Sequence, residues 1–308
     1  MKKKKTLIWL LLLSVCTLFL SACGKKSASP AEKKGPPRDN TPVVLTPEAP
    51  GTTVFQADQV TVDVSNKSAG YFMVKYTGSA AKVRVQLIAP DGTKSQPLLS
   101  IDGTYKVFPL TSGNGTYQVN ILENTTGNSY AILLSETFDV QLADEFSPFL
   151  YPNQYVDYTS DAATVKKGAD LAADTHSDLE VIQNIYKYVI ETISYDEEKA
   201  ESVRDGYLPV VDETLSSKTG ICFDYAALMT AMMRTQRIPT KLEIGYSGEV
   251  KHAWISAYVT EIGWIDNIIE FDGSSWTMMD PTLAASNSKA SVKKYVGDGS
   301  NYTLQYSY

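Results

Sequence analysis

A cysteine, a histidine and an aspartate in the second half of the chain are the residue types that a thiol active site requires. Cys222 is the only cysteine beyond residue 23 and follows Gly220 at the start of a predicted helix. A thiol reacts as its thiolate, which the N-terminus of a helix or a neighbouring imidazole favours. His252 opens a predicted strand and Asp280 ends another. The three predict a nucleophile, a general base and a residue that orients the imidazole.

Each of these residues also has an ordinary structural explanation. Free cysteines are commonly buried, and an aspartate before proline often marks a turn. The combination is therefore what indicates chemistry. Other chemistries are less well supported, because His176 and His252 are the only histidines, too few for a dedicated Cys/His zinc site. No Walker motif and no glycine-rich loop between a strand and a helix is present, so we expect neither a metal nor a cofactor.

The elements that must position these residues follow from hydrophobic periodicity. Apolar residues recur at spacings of three and four where helices are predicted, and they alternate where strands are predicted. After residue 148 the chain changes from helices to strands, which predicts an α+β domain. The predicted helices cover residues 161–174, 178–193 and 222–234, and the predicted strands cover residues 241–246, 252–259, 268–272 and 275–280.

The preceding segment predicts a different kind of domain. Between residues 53 and 142, short alternating runs are separated by turns rich in glycine, asparagine and aspartate. This pattern favours an antiparallel β-sandwich of the immunoglobulin-like (Ig-like) kind. The segment contains neither histidine nor cysteine, so we expect a spacing or binding role.

Three motifs resemble those of the transglutaminase-like superfamily. They are residues 220–226 (GICFDYA), 252–254 (HAW) and 276–282 (WTMMDPT), and the lead-in at residues 193–196 (ISYD) is also similar. The resemblance covers about residues 160–290. It implies a papain-like fold in which Cys222 is the nucleophile, His252 the general base and acid, and Asp280 the orienting residue. Such proteins transfer acyl groups through a thioester, and the resemblance leaves hydrolysis, deamidation and cross-linking open.

Further residues are candidates for roles around the thiol. The backbone N–H of Cys222 and a second donor would hold the oxyanion. Tyr195 is the candidate for that donor, with packing as the alternative. Trp254 is a candidate for lining a substrate groove, again with packing as the alternative. Asp224 could tune the pKa of the thiol, although a solvated acid at a helix start is the default interpretation.

The N-terminus predicts export. Four lysines at positions 2–5 precede an apolar run over residues 7–20, which is too short to span a bilayer as a helix. Residues 20–23 (LSAC) resemble the lipobox of bacterial lipoproteins, which implies lipidation of Cys23. An ordinary secretory signal is the alternative. The protein is thus expected on the outer face of the bacterial cell membrane. Its net charge of −7, which becomes more negative without those lysines, argues against nucleic-acid partners.

These observations together predict four segments. A signal peptide over residues 1–22 precedes a lipidated, proline-rich tether over residues 23–50, a β-sandwich over 51–147 and a transglutaminase-like catalytic domain over 148–308. The first functional hypothesis is a surface-anchored cysteine peptidase, amidase or acyltransferase that acts on a protein or peptide, with cell-wall peptides as one candidate class. The alternative is a non-catalytic binding or adhesion lipoprotein that uses the fold as a scaffold.

Overall fold

The computed structural model describes residues 38–247, 249–260, 262–266, 269–271, 276–278 and 302–308. Over these residues the chain forms sixteen β-strands and five α-helices. None of the helices in this part of the chain is long and apolar enough to cross a membrane. The strands are β1 Val54–Ala57, β2 Val60–Asp63, β3 Tyr71–Tyr76, β4 Val83–Ile88, β5 Lys94–Ser95, β6 Lys106–Pro109, β7 Gly115–Asn124, β8 Tyr130–Val140, β9 Ser194–Tyr195, β10 Thr219–Gly220, β11 Thr240–Ser247, β12 Val250–Val259, β13 Gly263–Ile265, β14 Ile269–Phe271, β15 Trp276–Met278 and β16 Tyr302–Ser307. The helices are α1 Ala163–Ala172, α2 Asp178–Thr192, α3 Glu197–Ser202, α4 Val211–Ser217 and α5 Cys222–Thr235.

The first eight strands form two antiparallel sheets around a common core. One sheet has the order β1-β2-β3-β6 and the other the order β5-β4-β7-β8. Alternate residues of both sheets, such as Val62, Phe72, Val85 and Val119, are buried in that core, as the period of two in a strand requires. The predicted antiparallel strands are confirmed, whereas the Ig-like topology stays a prediction.

The second half of the chain combines helices with a further antiparallel sheet, of strand order β13-β12-β11-β16. Helix α5 is buried from Asp224 to its end. It contacts α1, α2, α4, β11 and β12, so it is the central element of this core. The helices predicted around residues 161–174, 178–193 and 222–234 are confirmed, and Ser177 caps α2 by accepting a hydrogen bond from the N–H of Glu180. The structure is thus a mixed fold in which antiparallel strands precede an α+β region.

Arg234 anchors the C-terminal end of α5. Its side chain is 1% exposed and donates hydrogen bonds to the backbone carbonyls of Tyr151, Thr240 and Tyr308. Burial lowers the pKa of Arg234 to about 10. Because these carbonyls belong to three separate segments, one guanidinium ties the helix to the strand β11, to the chain before α1 and to the residue after β16.

The segment 38–48 does not behave as the predicted extended tether. Arg38 forms an ion pair with Asp178 at 2.7 Å, and the N–H of Val43 donates to the carbonyl of Thr235. These contacts hold residues 38–43 against the helices α2 and α5. The N–H of Glu48 donates to the hydroxyl of Tyr71 on β3. The earlier part of the tether, the signal segment and Cys23 lie outside the described residues.

Candidate active site

Two short parallel strands place Cys222 at the first position of α5. In this pair, Thr219 of β10 lies opposite Ser194 of β9, and Gly220 lies opposite Tyr195. The N–H of Asp196 donates to the carbonyl of Gly220 at 3.0 Å. The lead-in after α2 is therefore fixed beside the thiol, and the predicted start of the helix at Cys222 is confirmed.

Asp224 stabilises the start of α5 from inside the protein. The carboxylate accepts hydrogen bonds from the N–H of Ile221 at 2.8 Å, from Lys199 Nζ at 2.7 Å and from the hydroxyl of Tyr207. Asp224 is fully buried, so the default interpretation of this residue as a solvated acid was wrong. A Cβ atom at Gly220 would approach the Asp224 Cβ to 2.7 Å, which explains a glycine at this position. Burial is possible because three donors replace the lost water.

A cavity of about 340 Å³ brings together Cys222, His252 and Tyr195. Its remaining walls come from Ala200 of α3, from the loop at residues 203–207, from the start of α5 and from Ile244, Lys251 and Ala253. Its volume is that of a small ligand pocket. Asp280, the predicted orienting residue, lies outside the described residues. The structure therefore brings together two of the three triad candidates, and their catalytic roles stay predictions.

The thiol and the imidazole are both biased towards their neutral forms. Burial raises the pKa of the Cys222 thiol, against hydrogen bonds from the backbone N–H groups of Ala253 and Phe223, which lower it. Burial also lowers the pKa of His252 to about 4. The expectation of a thiolate favoured by the helix start and the imidazole thus differs from the structure, because removing water from both charged forms outweighs these effects.

Tyr195 lies against the backbone of Cys222. Burial and the nearby Cys222 thiol raise the pKa of the Tyr195 phenol to about 12, although a hydrogen bond with the backbone of Cys222 lowers it. The hydroxyl therefore stays protonated at neutral pH and lies beside the N–H that would serve as the first oxyanion donor. This placement is compatible with the predicted second donor and also with packing against Tyr225, whose ring centre is 6.4 Å away.

Trp254 lies beside His252 but is buried. The two ring centres are 6.3 Å apart and the rings are nearly parallel, because residues two apart on a strand share one face. Trp254 is 3% exposed and hydrogen-bonds the buried carboxylate of Glu243, which also accepts from Ser256. Burial raises the pKa of that carboxyl. The indole thus supports the strand that carries His252. Trp254 is not among the residues that line the cavity, and its role in a substrate groove stays a prediction.

The loop at residues 203–207 is a part of the site that the sequence did not reveal. Arg84 of β4 forms an ion pair with Asp205 at 2.9 Å. A Cβ atom at Gly206, whose φ is +89°, would lie 2.7 Å from Leu98 Cδ1. The sandwich therefore contacts a wall of the cavity. No signal in the local sequence marks this, because the partners are more than a hundred residues apart.

The described residues contain no group of three or more histidine, cysteine, aspartate or glutamate side chains that could hold a metal ion. Of the histidines, His176 lies before α2, where its N–H donates to the carboxylate of Glu180, and only His252 lines the cavity. The cavity thus offers a thiol, an imidazole and the hydroxyls of Tyr195 and Tyr207.

The region of the chain that contains Cys222 and His252 matches a known protein family. Residues 166–281 match the family model described as the transglutaminase-like superfamily. The chain therefore contains a transglutaminase-like domain, which confirms the resemblance of the three motifs. Kyphoscoliosis peptidase from the mouse is 28% identical over 148 residues, which cover 40% of this chain. The match spans 22% of the length of the mouse protein.

Two solved structures are similar at low sequence identity. A candidate cysteine protease from Cytophaga hutchinsonii is 16% identical with a TM-score of 0.35, and the match covers 77% of this chain and 83% of that one. A transglutaminase from red sea bream is 13% identical with a TM-score of 0.32, and the match covers 73% of this chain and 53% of that one.

Proposed function

We propose that this protein is a cysteine hydrolase that cleaves peptide or amide bonds through a thioester on Cys222. The observation that carries the proposal is the placement of the thiol. Its sulfur is hydrogen-bonded by the backbone N–H of Ala253, the residue after His252, and thiol and imidazole line one cavity. The transglutaminase-like domain supports the same chemistry.

The reaction starts from a neutral pair. The lowered pKa of His252 leaves its imidazole uncharged at neutral pH and able to accept a proton. As the sulfur of Cys222 attacks the carbonyl carbon, the imidazole takes the thiol proton, so that no buried thiolate has to exist beforehand. The carbonyl oxygen becomes an oxyanion, for which the N–H of Cys222 and the hydroxyl of Tyr195 are the donors we propose.

The remaining steps return the site to its starting state. The imidazolium donates its proton to the leaving amine as the C–N bond breaks, which leaves a thioester on Cys222. His252 then accepts a proton from water, and the hydroxide attacks the thioester carbonyl. As the C–S bond breaks, His252 donates that proton to the sulfur, which gives a carboxylic acid and the free thiol. Asp280 is the proposed orienting partner of His252 during both proton transfers.

Hydrolysis is preferred over transfer to an amine. Transfer requires a site that excludes water, whereas Arg204 and Lys251 at the edge of this cavity are exposed to solvent. Water can therefore reach the thioester. Deamidation would follow the same path, with ammonia as the leaving group.

We also propose where this reaction takes place. The basic residues at positions 2–5, the apolar run and the sequence LSAC support export and lipidation of Cys23. The enzyme would then act outside the cell on a protein or peptide, and cell-wall peptides are one class to examine.

The decisive experiment compares the full chain with its Cys222→Ser, His252→Gln and Asp280→Asn variants. Each is incubated with a defined peptide library in the presence and absence of a primary amine, and products are identified by mass spectrometry. We expect new free carboxylates with the wild type only, and a thioester mass on Cys222 that hydroxylamine removes. Products that also form with Cys222→Ser, or the lack of any product or thioester, would reject the hydrolase and favour the binding lipoprotein.

A further inference from the structure

The cavity is lined by more basic than acidic side chains, although the chain as a whole is acidic. The protein carries a net charge of −7, yet the charged residues that line the cavity are Arg204, Asp205 and Lys251. The carboxylate of Asp205 is paired with Arg84 at 2.9 Å. Apart from this paired aspartate, the charged side chains of the lining are therefore two cations, which share the cavity with the thiol and the imidazole.

Arg204 and Lys251 lie on separate elements. Arg204 belongs to the loop at residues 203–207, and Lys251 precedes His252 on β12. Both residues are exposed, and among the described residues neither forms an ion pair with an acidic side chain. The other lysine near the thiol, Lys199, is already paired with Asp224. The two free cations are thus available to a ligand that enters the cavity.

We infer that the substrate carries a carboxylate close to the bond that Cys222 attacks, and that Arg204 and Lys251 select it. Two cations on different walls hold an anion by direct charge-assisted hydrogen bonds and by their combined field. A lysine-rich or arginine-rich substrate would be repelled by the same charges. The biological meaning of this selection rests on the proposed hydrolase, but the charge preference of the cavity can be measured without turnover.

The first experiment compares alkylation of Cys222 by iodoacetate and by iodoacetamide. Both reagents form the same S–C bond by displacing iodide, and they differ chiefly in the carboxylate of the first. The ratio of the two rates therefore cancels the ionisation state of the thiol, which is the same for both reagents. Rates are read on the full chain at the peptide that contains Cys222, so that Cys16 and Cys23 do not contribute, and a small free thiol provides the reference ratio.

We expect the ratio of iodoacetate to iodoacetamide rates to be about threefold or more above the reference, since one nearby cation in water-like surroundings is worth about that factor. Arg204→Gln and Lys251→Gln should each lower the ratio by about two- to threefold, and 0.5 M salt should lower it in the wild type. Lys187→Gln is the matched control, because Lys187 is exposed on α2 away from the cavity.

A ratio at or below the reference, or one that neither substitution changes, would overturn the inference. A second experiment compares peptides that carry glutamate or glutamine beside the scissile bond. The glutamate peptide should have the lower KM. Arg204→Gln and Lys251→Gln should each reduce the difference in KM between the two peptides, and the double variant should remove it. Equal KM values would also overturn the inference. Because the alkylation ratio does not depend on turnover, failure of the hydrolase and failure of the carboxylate preference give different results.

Discussion

Removal of the Asp224 charge should destabilise the start of α5 and disturb Cys222. Asp224→Asn keeps the size of the side chain and one acceptor for the N–H of Ile221, but it weakens the bonds from Lys199 Nζ and the hydroxyl of Tyr207. We expect this variant to alter the rate of Cys222 alkylation as well, because Cys222 lies between Ile221 and Asp224.

The magnitude follows from the contacts. Hydrogen bonds to charged groups contribute about 1.5–3 kcal/mol each when buried, but the side chain of Lys199 is 31% exposed, which reduces its part. We therefore expect Asp224→Asn to lower the free energy of unfolding by about 2 kcal/mol. Asp224→Ala should cost about 1 kcal/mol more, since the N–H of Ile221 also loses its capping acceptor.

The assay is urea unfolding followed by tryptophan fluorescence, which reports mainly on the C-terminal half because three of the four tryptophans lie beyond residue 250. The partner variant is Lys199→Met. The double variant should lose about 1 kcal/mol less than the sum of the single losses, because each single change already breaks the ion pair. Strictly additive losses, or a change below about 0.5 kcal/mol for Asp224→Asn, would refute the reasoning.

Three further predictions concern neighbouring residues. The pKa of His252 is about 4 in the folded protein, against an ordinary value of 6.5, so the unfolded chain binds a proton first as the pH falls. The free energy of unfolding should therefore drop by up to about 3 kcal/mol between pH 6.5 and 4. Urea titrations of His252→Asn should lack the share of this drop that comes from the imidazole. Arg84→Met should lower the free energy of unfolding by less than about 1 kcal/mol, because a partly exposed ion pair contributes no more than that. The same change should speed proteolysis at residues 203–207, and an unchanged cleavage rate would contradict the anchoring of this loop. Arg234→Met should cost about 3–5 kcal/mol, because three buried carbonyls lose their donor, and a thermal unfolding scan that matches the wild type would exclude that role.

The sequence anticipated the elements that depend on local pattern. Helix α2 and strand β12 were predicted because their apolar residues repeat at the helical and strand periods. The helices α3 and α4 were missed, because a polar segment of that length has no apolar stripe to reveal it.

For the site, the motifs anticipated that Cys222 and His252 would lie together, but the burial of Asp224 and the pKa directions were not predictable. These depend on Lys199, Tyr207 and the surrounding core, which only the folded chain brings to the thiol. The wall formed by residues 203–207 likewise depends on Arg84, which is 121 positions away from Asp205.

The most direct test of the central claim is the pH dependence of the rate at which iodoacetamide alkylates Cys222 in the full chain and in His252→Gln. If the imidazole accepts the thiol proton during attack, the wild-type rate should stay nearly constant from about pH 5 to pH 8 and fall near the pKa of His252, about 4. The variant should react through its thiolate alone, with a rate that rises about tenfold per pH unit. The same tenfold rise in both proteins would contradict a Cys222–His252 catalytic pair.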